Sequence, residues 1–278
     1  MGPVIETRKA FNAPGRGREV RGSSGVTAAE ADTVEMSALV ADLREQGFAI
    51  LPGVFTIAEI EDFRETVTRH LGLMARTRSI AHACHLAGFQ RIETLVPLHA
   101  AIATNEPVQN FLRRYYDGQS FETIGLTDIT VNRSQHWHTD LLRGAYSGFL
   151  ADGSPWHETG NSCLKVLVYL QPGKSLRIVP GSHAAPSPLD DDQLEVLAQA
   201  ANPIELHVEP GDVVIMDIRA LHRGSTDADM SDPRLAHDPK ILVSTVFGLN
   251  GSRFAHAMKE GNALRLADWD RRHLGLIR

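Results

Sequence analysis

The stretch NRSQHWHTDLLRG, residues 132–144, decides how the rest of the chain is read. Side chains alternate across a strand, so His136, His138 and Asp140 share one face if the segment is extended. Imidazole and carboxylate are the donors of an octahedral ferrous site, and two histidines with one carboxylate on one face leave the opposite positions open. The adjacent pair is His138 with Asp140 or His136 with His138, and a further ligand must come from a distant strand. His183, His207, His222 and His237 are the candidates. His222 is preferred, because PGDVVIMDIRALH (residues 210–222) reads as a buried strand running into a polar loop. His207 alternates within a strand, and His183 lies in the turn VPGSH, from which it can approach the site without binding the metal.

Working outward, the chain from about residue 120 is a series of short apolar runs broken by turn residues: ITV, LKVLVYLQPG, LRIVPGSH, IELHVEPGDVVIMD and KILVSTVFG. EPGD is a turn signal, and it predicts adjacent antiparallel strands over residues 204–217. Several such strands imply a sandwich or barrel. SPLDDDQLEVLAQAA reads as an inserted helix and ALRLADWDRRHLG as a closing one. Before the β region, VEMSALVADLREQ places Met36, Leu39, Val40 and Leu43 on one helical face, and GFAILPG is a short strand. Thr56 and Glu59 match a capping box, followed by an expected buried stripe of Ile57, Ile60, Phe63 and Val67.

The bulk numbers exclude several classes. A chain of 278 residues with 22% charged residues, 42% apolar residues and a net charge of −6 lacks the basic excess of a nucleic-acid binder. Cys84 and Cys163 are too few for a disulfide framework, which points to a reducing cytoplasm. Neither a signal-peptide core nor an apolar run of membrane-spanning length is expected. Residues 1–26, rich in Gly, Pro and Arg, read as a flexible arm.

The ordered set HWHTD, LKVLVYLQPG, LRIVPGSHA and PGDVVIMDIRALHRGS, followed by an arginine, resembles the phytanoyl-CoA dioxygenase family of iron(II)- and 2-oxoglutarate-dependent oxygenases. The resemblance runs from LREQGFAILPGVFTIAEIEDF to about Phe247. It implies a mainly β fold with flanking helices, a double-stranded β-helix (the jelly-roll, cupin-like barrel). Together with the length and the periodicities above, it gives a single oxygenase domain over 27–278, with a helical scaffold at 27–120, a β-helix core at about 120–250 and a C-terminal helix at 262–275. His138, Asp140 and His222 then form the metal-binding facial triad and His136 is not a ligand. The cofactors are Fe(II), 2-oxoglutarate as co-substrate, and O2.

A dicarboxylate needs a cation at its far end, and a guanidinium binds it bidentately. By resemblance that cation is Arg234, twelve residues after His222, with Ser225 as its hydroxyl partner; both sit one residue later than the family spacing. Arg223 is the competing choice. Asn132 and Gln135, polar members of the strand ITVNRSQ, are expected to line the co-substrate pocket. After Asp140, LLRGAYSGFLADGSPWHETGNS has no periodicity, as binding loops often do not. Arg143, Trp156 and His157 are its candidate substrate contacts, with His136 and His183 beside the site. Arg76, Arg78 and Arg91 are further candidates for an acidic substrate group.

The expected reaction is oxidation of an unactivated C–H bond in a small metabolite, such as an amino acid or a natural-product intermediate. Hydroxylation is the leading outcome, with desaturation, cyclisation and epimerisation open to the same oxidant; the presence of Asp140 argues against halogenation. The rival enzyme is a cupin-type dioxygenase or isomerase using His136 and His138, but its glutamate is missing, since the next one is Glu158. A non-catalytic β-sandwich binding protein is the alternative outside catalysis.

Overall fold

The structure, a computed structural model, describes residues 28–77, 83–148, 162–171, 173–185 and 190–273. The expected arm, Arg78, and Trp156 and His157 lie outside the described residues. Helix α1 (Ala28–Gln46) buries Val40 and Leu43 and packs Met36 and Leu39 on the same core. Gly47, at φ +87°, ends it in the left-handed conformation that glycine adopts freely, and the chain turns into β1 (Phe48–Leu51). Helix α2 (Ile57–Arg69) opens with the expected capping box: the Thr56 hydroxyl accepts from the Glu59 amide while the Glu59 carboxylate accepts from the Thr56 amide. Ile60, Phe63 and Val67 are buried, but Ile57 is 55% exposed, because as the first helical residue it precedes the turns that reach the core.

There follow β2 (Ala75–Arg76), β3 (Cys84–Ala87), α3 (Val96–Ala103), α4 (Glu106–Tyr115), β4 (Phe121–Val131), β5 (Leu164–Tyr169) and β6 (Gly173–Ile178). Then come α5 (Asp191–Ala200), β7 (Ile204–Val208), β8 (Val213–Asp217), β9 (His222–Arg223), β10 (Ile241–Leu249) and α6 (Arg253–His273). The strands form an antiparallel seven-stranded sheet in the order β1-β8-β5-β10-β4-β3-β2 and a three-stranded sheet in the order β7-β6-β9. This is a mostly antiparallel β architecture with flanking helices.

The period of two divides the large sheet into two buried faces. Val166, Val168, Ile215 and Val243 point one way, into a core shared with Leu43, Phe63, Phe111 and Leu112 of the helices. Leu167, Tyr169, Val214 and Met216 point the other way, against Leu176, Ile178, Leu206 and Val208 of the small sheet. Being buried on both faces explains why β5 and β8 read as near-continuous apolar runs.

Two expectations change. β7 and β8 are not paired, since β7 lies beside β6 and β8 between β1 and β5. The EPGD segment carries the chain from one sheet to the other. Gly211 there has φ +98°, its carbonyl accepts from the Phe55 amide at 3.0 Å, and a Cβ would come within 2.1 Å of the Phe55 oxygen. The closing helix starts at Arg253 and not 262, because the Ser252 hydroxyl caps it by accepting from the Ala255 amide, and Phe254, Ala257 and Met258 are buried ahead of the segment read as helical. Among the described residues no helix is long and apolar enough to cross a membrane.

Candidate active site

The segment that follows β4 brings His138 beside His222 at the start of β9. The two residues exchange backbone bonds, His138 N to His222 O at 2.8 Å and His222 N to His138 O at 2.9 Å. Two residues on, the Asp140 amide donates to the Ile218 carbonyl at 2.9 Å. Ligand-type atoms of His138, Asp140 and His222 thereby lie within 4.8 Å of one another. His138 Nε2 is 3.9 Å from Asp140 Oδ1, and His222 Nε2 is 3.6 Å from Asp140 Oδ2.

The donor set fits a divalent transition metal. His138 Nδ1 bonds the His136 carbonyl at 2.8 Å and His222 Nδ1 the Ala220 carbonyl at 2.9 Å. A carbonyl accepts only from an N–H, so both rings carry the proton on Nδ1 and turn the Nε2 lone pair toward the shared centre. Burial, then the neighbouring His222, pushes His138 down to about 3. Burial also lowers His222, against the opposing pull of Asp140. Burial alone would raise the Asp140 carboxyl, but Lys165, His222 and His138 outweigh it and hold it well below the usual carboxylate range. Two neutral imidazoles and one carboxylate therefore face one point near neutral pH.

A small cavity, partly open to solvent, joins His222 to Thr130, Arg133, Gln135, Lys165, Tyr169, Ser225 and Lys240. Gln135 lies in its wall, with Nε2 3.4 Å from His138 Nε2. Ser225 is buried there and its hydroxyl accepts from Lys240 Nζ at 2.7 Å. Arg234 is not in the cavity: its side chain is 87% exposed and held in a local pair with Asp232. Only Pro233 separates the pair, so the guanidinium folds back onto its own short turn. Arg223 is also outside it, lying over the Trp137 ring at 5.0 Å and facing Glu195. With Arg133 and Lys165, Lys240, at the mouth of β10, is one of three cations in this wall that the sequence reading missed. Burial lowers its pKa to about 8.

Asn132 does not line the cavity; it holds Lys240 in place. With φ +48°, its amide group accepts from Lys240 N at 2.8 Å and donates to Leu235 O at 2.9 Å. His136 is exposed and contributes only its carbonyl. His183 faces away, with Nε2 on the Arg44 carbonyl at 3.1 Å and Nδ1 against Gly47. Arg143 is half-buried and near enough to Asp140 to feel its charge. Arg91 pairs with Asp270, and Arg76 is exposed at the sheet edge. Trp137 packs among Val179, Leu194 and Leu221, on the side away from the ligands.

Behind the site, Asp217 and Arg219 form a buried two-point ion pair, with Nε to Oδ1 at 3.0 Å and Nη2 to Oδ2 at 2.8 Å. The pair closes the turn that delivers Ile218 and His222 to the HWHTD segment. Asp217→Ala strands the buried guanidinium, and the expected cost is about 3–5 kcal/mol in denaturant unfolding. The double variant Asp217→Ala/Arg219→Met recovers most of it; no recovery would mean that the pair is not the source of the loss.

With this geometry in hand, likeness to known proteins can be read. A family model described as phytanoyl-CoA dioxygenase matches residues 43–229. No match is found among curated proteins. Among solved structures, the chain is similar to the non-heme alpha ketoglutarate dependent epimerase SnoN from nogalamycin biosynthesis, at 18% identity and TM-score 0.57, over 78% of this chain and 84% of that one. It is similar to HygX from Streptomyces hygroscopicus with nickel, 2-oxoglutarate and hygromycin B bound, at 19% identity and TM-score 0.57, over 77% and 87%. AviO1 from Streptomyces viridochromogenes is a further likeness, at 14% identity and TM-score 0.56, over 83% and 98%. These likenesses speak to the fold; the family match, which takes in His138, Asp140 and His222 and spans more than half of the sequence, identifies the chain as a member of the phytanoyl-CoA dioxygenase family of iron(II)- and 2-oxoglutarate-dependent oxygenases.

Proposed function

We propose that this chain is a single-domain oxygenase, built on a double-stranded β-helix, that oxidises an unactivated C–H bond of a small metabolite. The observation that carries the reading is the trio His138, Asp140 and His222, with both imidazoles fixed so that their Nε2 atoms meet one carboxylate. These three residues would hold iron(II). Bound there, iron(II) would supply the oxidising power with 2-oxoglutarate and O2, at the cost of converting 2-oxoglutarate to succinate and carbon dioxide.

The chain's own residues orient and exclude. Lys240, backed by the Ser225 hydroxyl and clamped by Asn132, receives the far carboxylate of 2-oxoglutarate, in place of the expected Arg234. Leu167, Tyr169, Leu176 and Leu242 give that cavity apolar walls suited to a short methylene chain. Gln135 stands between the cavity and His138 and steadies that ring. Arg143, on the Asp140 side, is the described candidate for a substrate contact. The similar structures include one holding a nogalamycin compound and one holding hygromycin B, which favours a natural-product intermediate over an acyl-thioester as substrate. Hydroxylation is the expected outcome, with epimerisation and ring closure as the variants suggested by an epimerase and a carbocyclase among the similar structures.

Anaerobic titration of metal-free protein with iron(II) and then 2-oxoglutarate tests the reading directly. The weak visible charge-transfer band of the chelate is expected after the second addition. Iron uptake without the band would refute the co-substrate site, and no uptake would refute the metal centre.

A further inference from the structure

Lys165 stands where no role has been given to it. It lies on β5, in the middle of the large sheet, opposite Met216 on one side and Val246 on the other. A lysine in so apolar a strand is costly unless its charge is answered. It is answered by Asp140: Nζ is 3.0 Å from Oδ1 and 2.9 Å from Oδ2, with both side chains mostly buried. An ammonium nearly equidistant from two carboxylate oxygens sits on the side from which both oxygens could hold one ion. Each oxygen also has an imidazole near it, His138 Nε2 3.9 Å from Oδ1 and His222 Nε2 3.6 Å from Oδ2.

We infer that Lys165 is a positioning residue that restricts Asp140 to one oxygen toward the metal. This rests on the metal centre proposed above. A carboxylate bound through both oxygens would take a further coordination position, and the reaction needs those positions for co-substrate and oxygen. By occupying the side that both oxygens share, Lys165 keeps the carboxylate a one-point ligand. Its charge also lies close to an arriving divalent cation in a partly buried site, where like charges repel more strongly than in water. Lys165 thus trades metal affinity for an open metal. A lysine that merely anchored Asp140 would do the opposite, since removing it would loosen the metal.

The two roles are told apart by direction. Metal-free full-length protein is titrated anaerobically with Co(II), and the Co(II)-loaded protein with 2-oxoglutarate, for the wild type, Lys165→Met, Lys165→Gln and Lys165→Arg. The expected result for Lys165→Met is Co(II) affinity at least about tenfold tighter and 2-oxoglutarate affinity at least about threefold weaker, with Lys165→Arg near wild type. Lys165→Gln removes the charge but retains a donor for one oxygen, so it reports the same directions if the Met variant folds poorly. Wild-type binding with Co(II) no tighter, or 2-oxoglutarate no weaker, in the neutral variants would overturn the inference and leave the metal centre standing. Absence of Co(II) binding in all four proteins would overturn both.

Discussion

Asp140→Ala is expected to lose succinate formation by more than a hundredfold, while His136→Ala keeps its metal and most of its turnover. Changes to groups that only orient a ligand commonly cost roughly 10–100-fold, so loss of the sole anionic ligand sets a higher floor. His138→Ala and His222→Ala belong with Asp140→Ala, because each imidazole presents its Nε2 to the same carboxylate. Asp140→Ala also strands the Lys165 ammonium, which lowers stability independently of the metal. Asp140→Ala/Lys165→Met separates the effects, restoring the unfolding midpoint while leaving succinate formation absent. Turnover in either protein near the wild-type rate would remove Asp140 from the ligand set.

The second large effect concerns the far end of the co-substrate. Lys240→Ala is expected to raise the 2-oxoglutarate requirement about a hundredfold, as losing one partner of a desolvated charge pair costs roughly 2–5 kcal/mol. Arg234→Ala leaves the requirement unchanged, since that guanidinium is spent on Asp232 in solvent. The pH dependence carries the same assignment. With Lys240 lowered to about 8 by burial, its charge is present below that pH and lost above it. Binding of 2-oxoglutarate therefore weakens above about pH 8, approaching tenfold per unit, and Lys240→Arg stays flat there. Stability runs the other way. The folded pKa lies below the unfolded one, so the unfolded chain binds more protons between the two values and stability rises with pH across that window. Opposite slopes for binding and unfolding are the signature; parallel slopes would exclude Lys240 as the carboxylate partner.

That His138, Asp140 and His222 come together was legible from the two-residue spacing of the first pair and from His222 ending a buried run at a polar loop, although β4 stops at Val131 and single bridges, not a strand ladder, hold the HWHTD segment. The Thr56 box and the α1 stripe were legible for the same reason: both are encoded within one or two turns of chain. Arg234 misled because a spacing count ignores what the loop does. Residues 224–239 fold into short turns, and Asp232 captures the arginine before the chain reaches β10. The cation that arrives is Lys240, whose signal was its place directly before an apolar strand. Lys165 had a signal too, a single charge within LKVLVY. Strand pairing failed at EPGD, since periodicity identifies strands but not the sheet that each joins.

The mutual backbone bonds of His138 and His222, with the Asp140–Ile218 bond beside them, have a consequence for how this site tolerates change. Segment 138–140 is matched to segment 218–222 as a fixed ruler, so inserting or deleting one residue between Ile218 and His222 would swing an imidazole to the far face. Sequence drift in this protein is therefore confined to substitution along that ruler, and length variation must fall in the connections outside it.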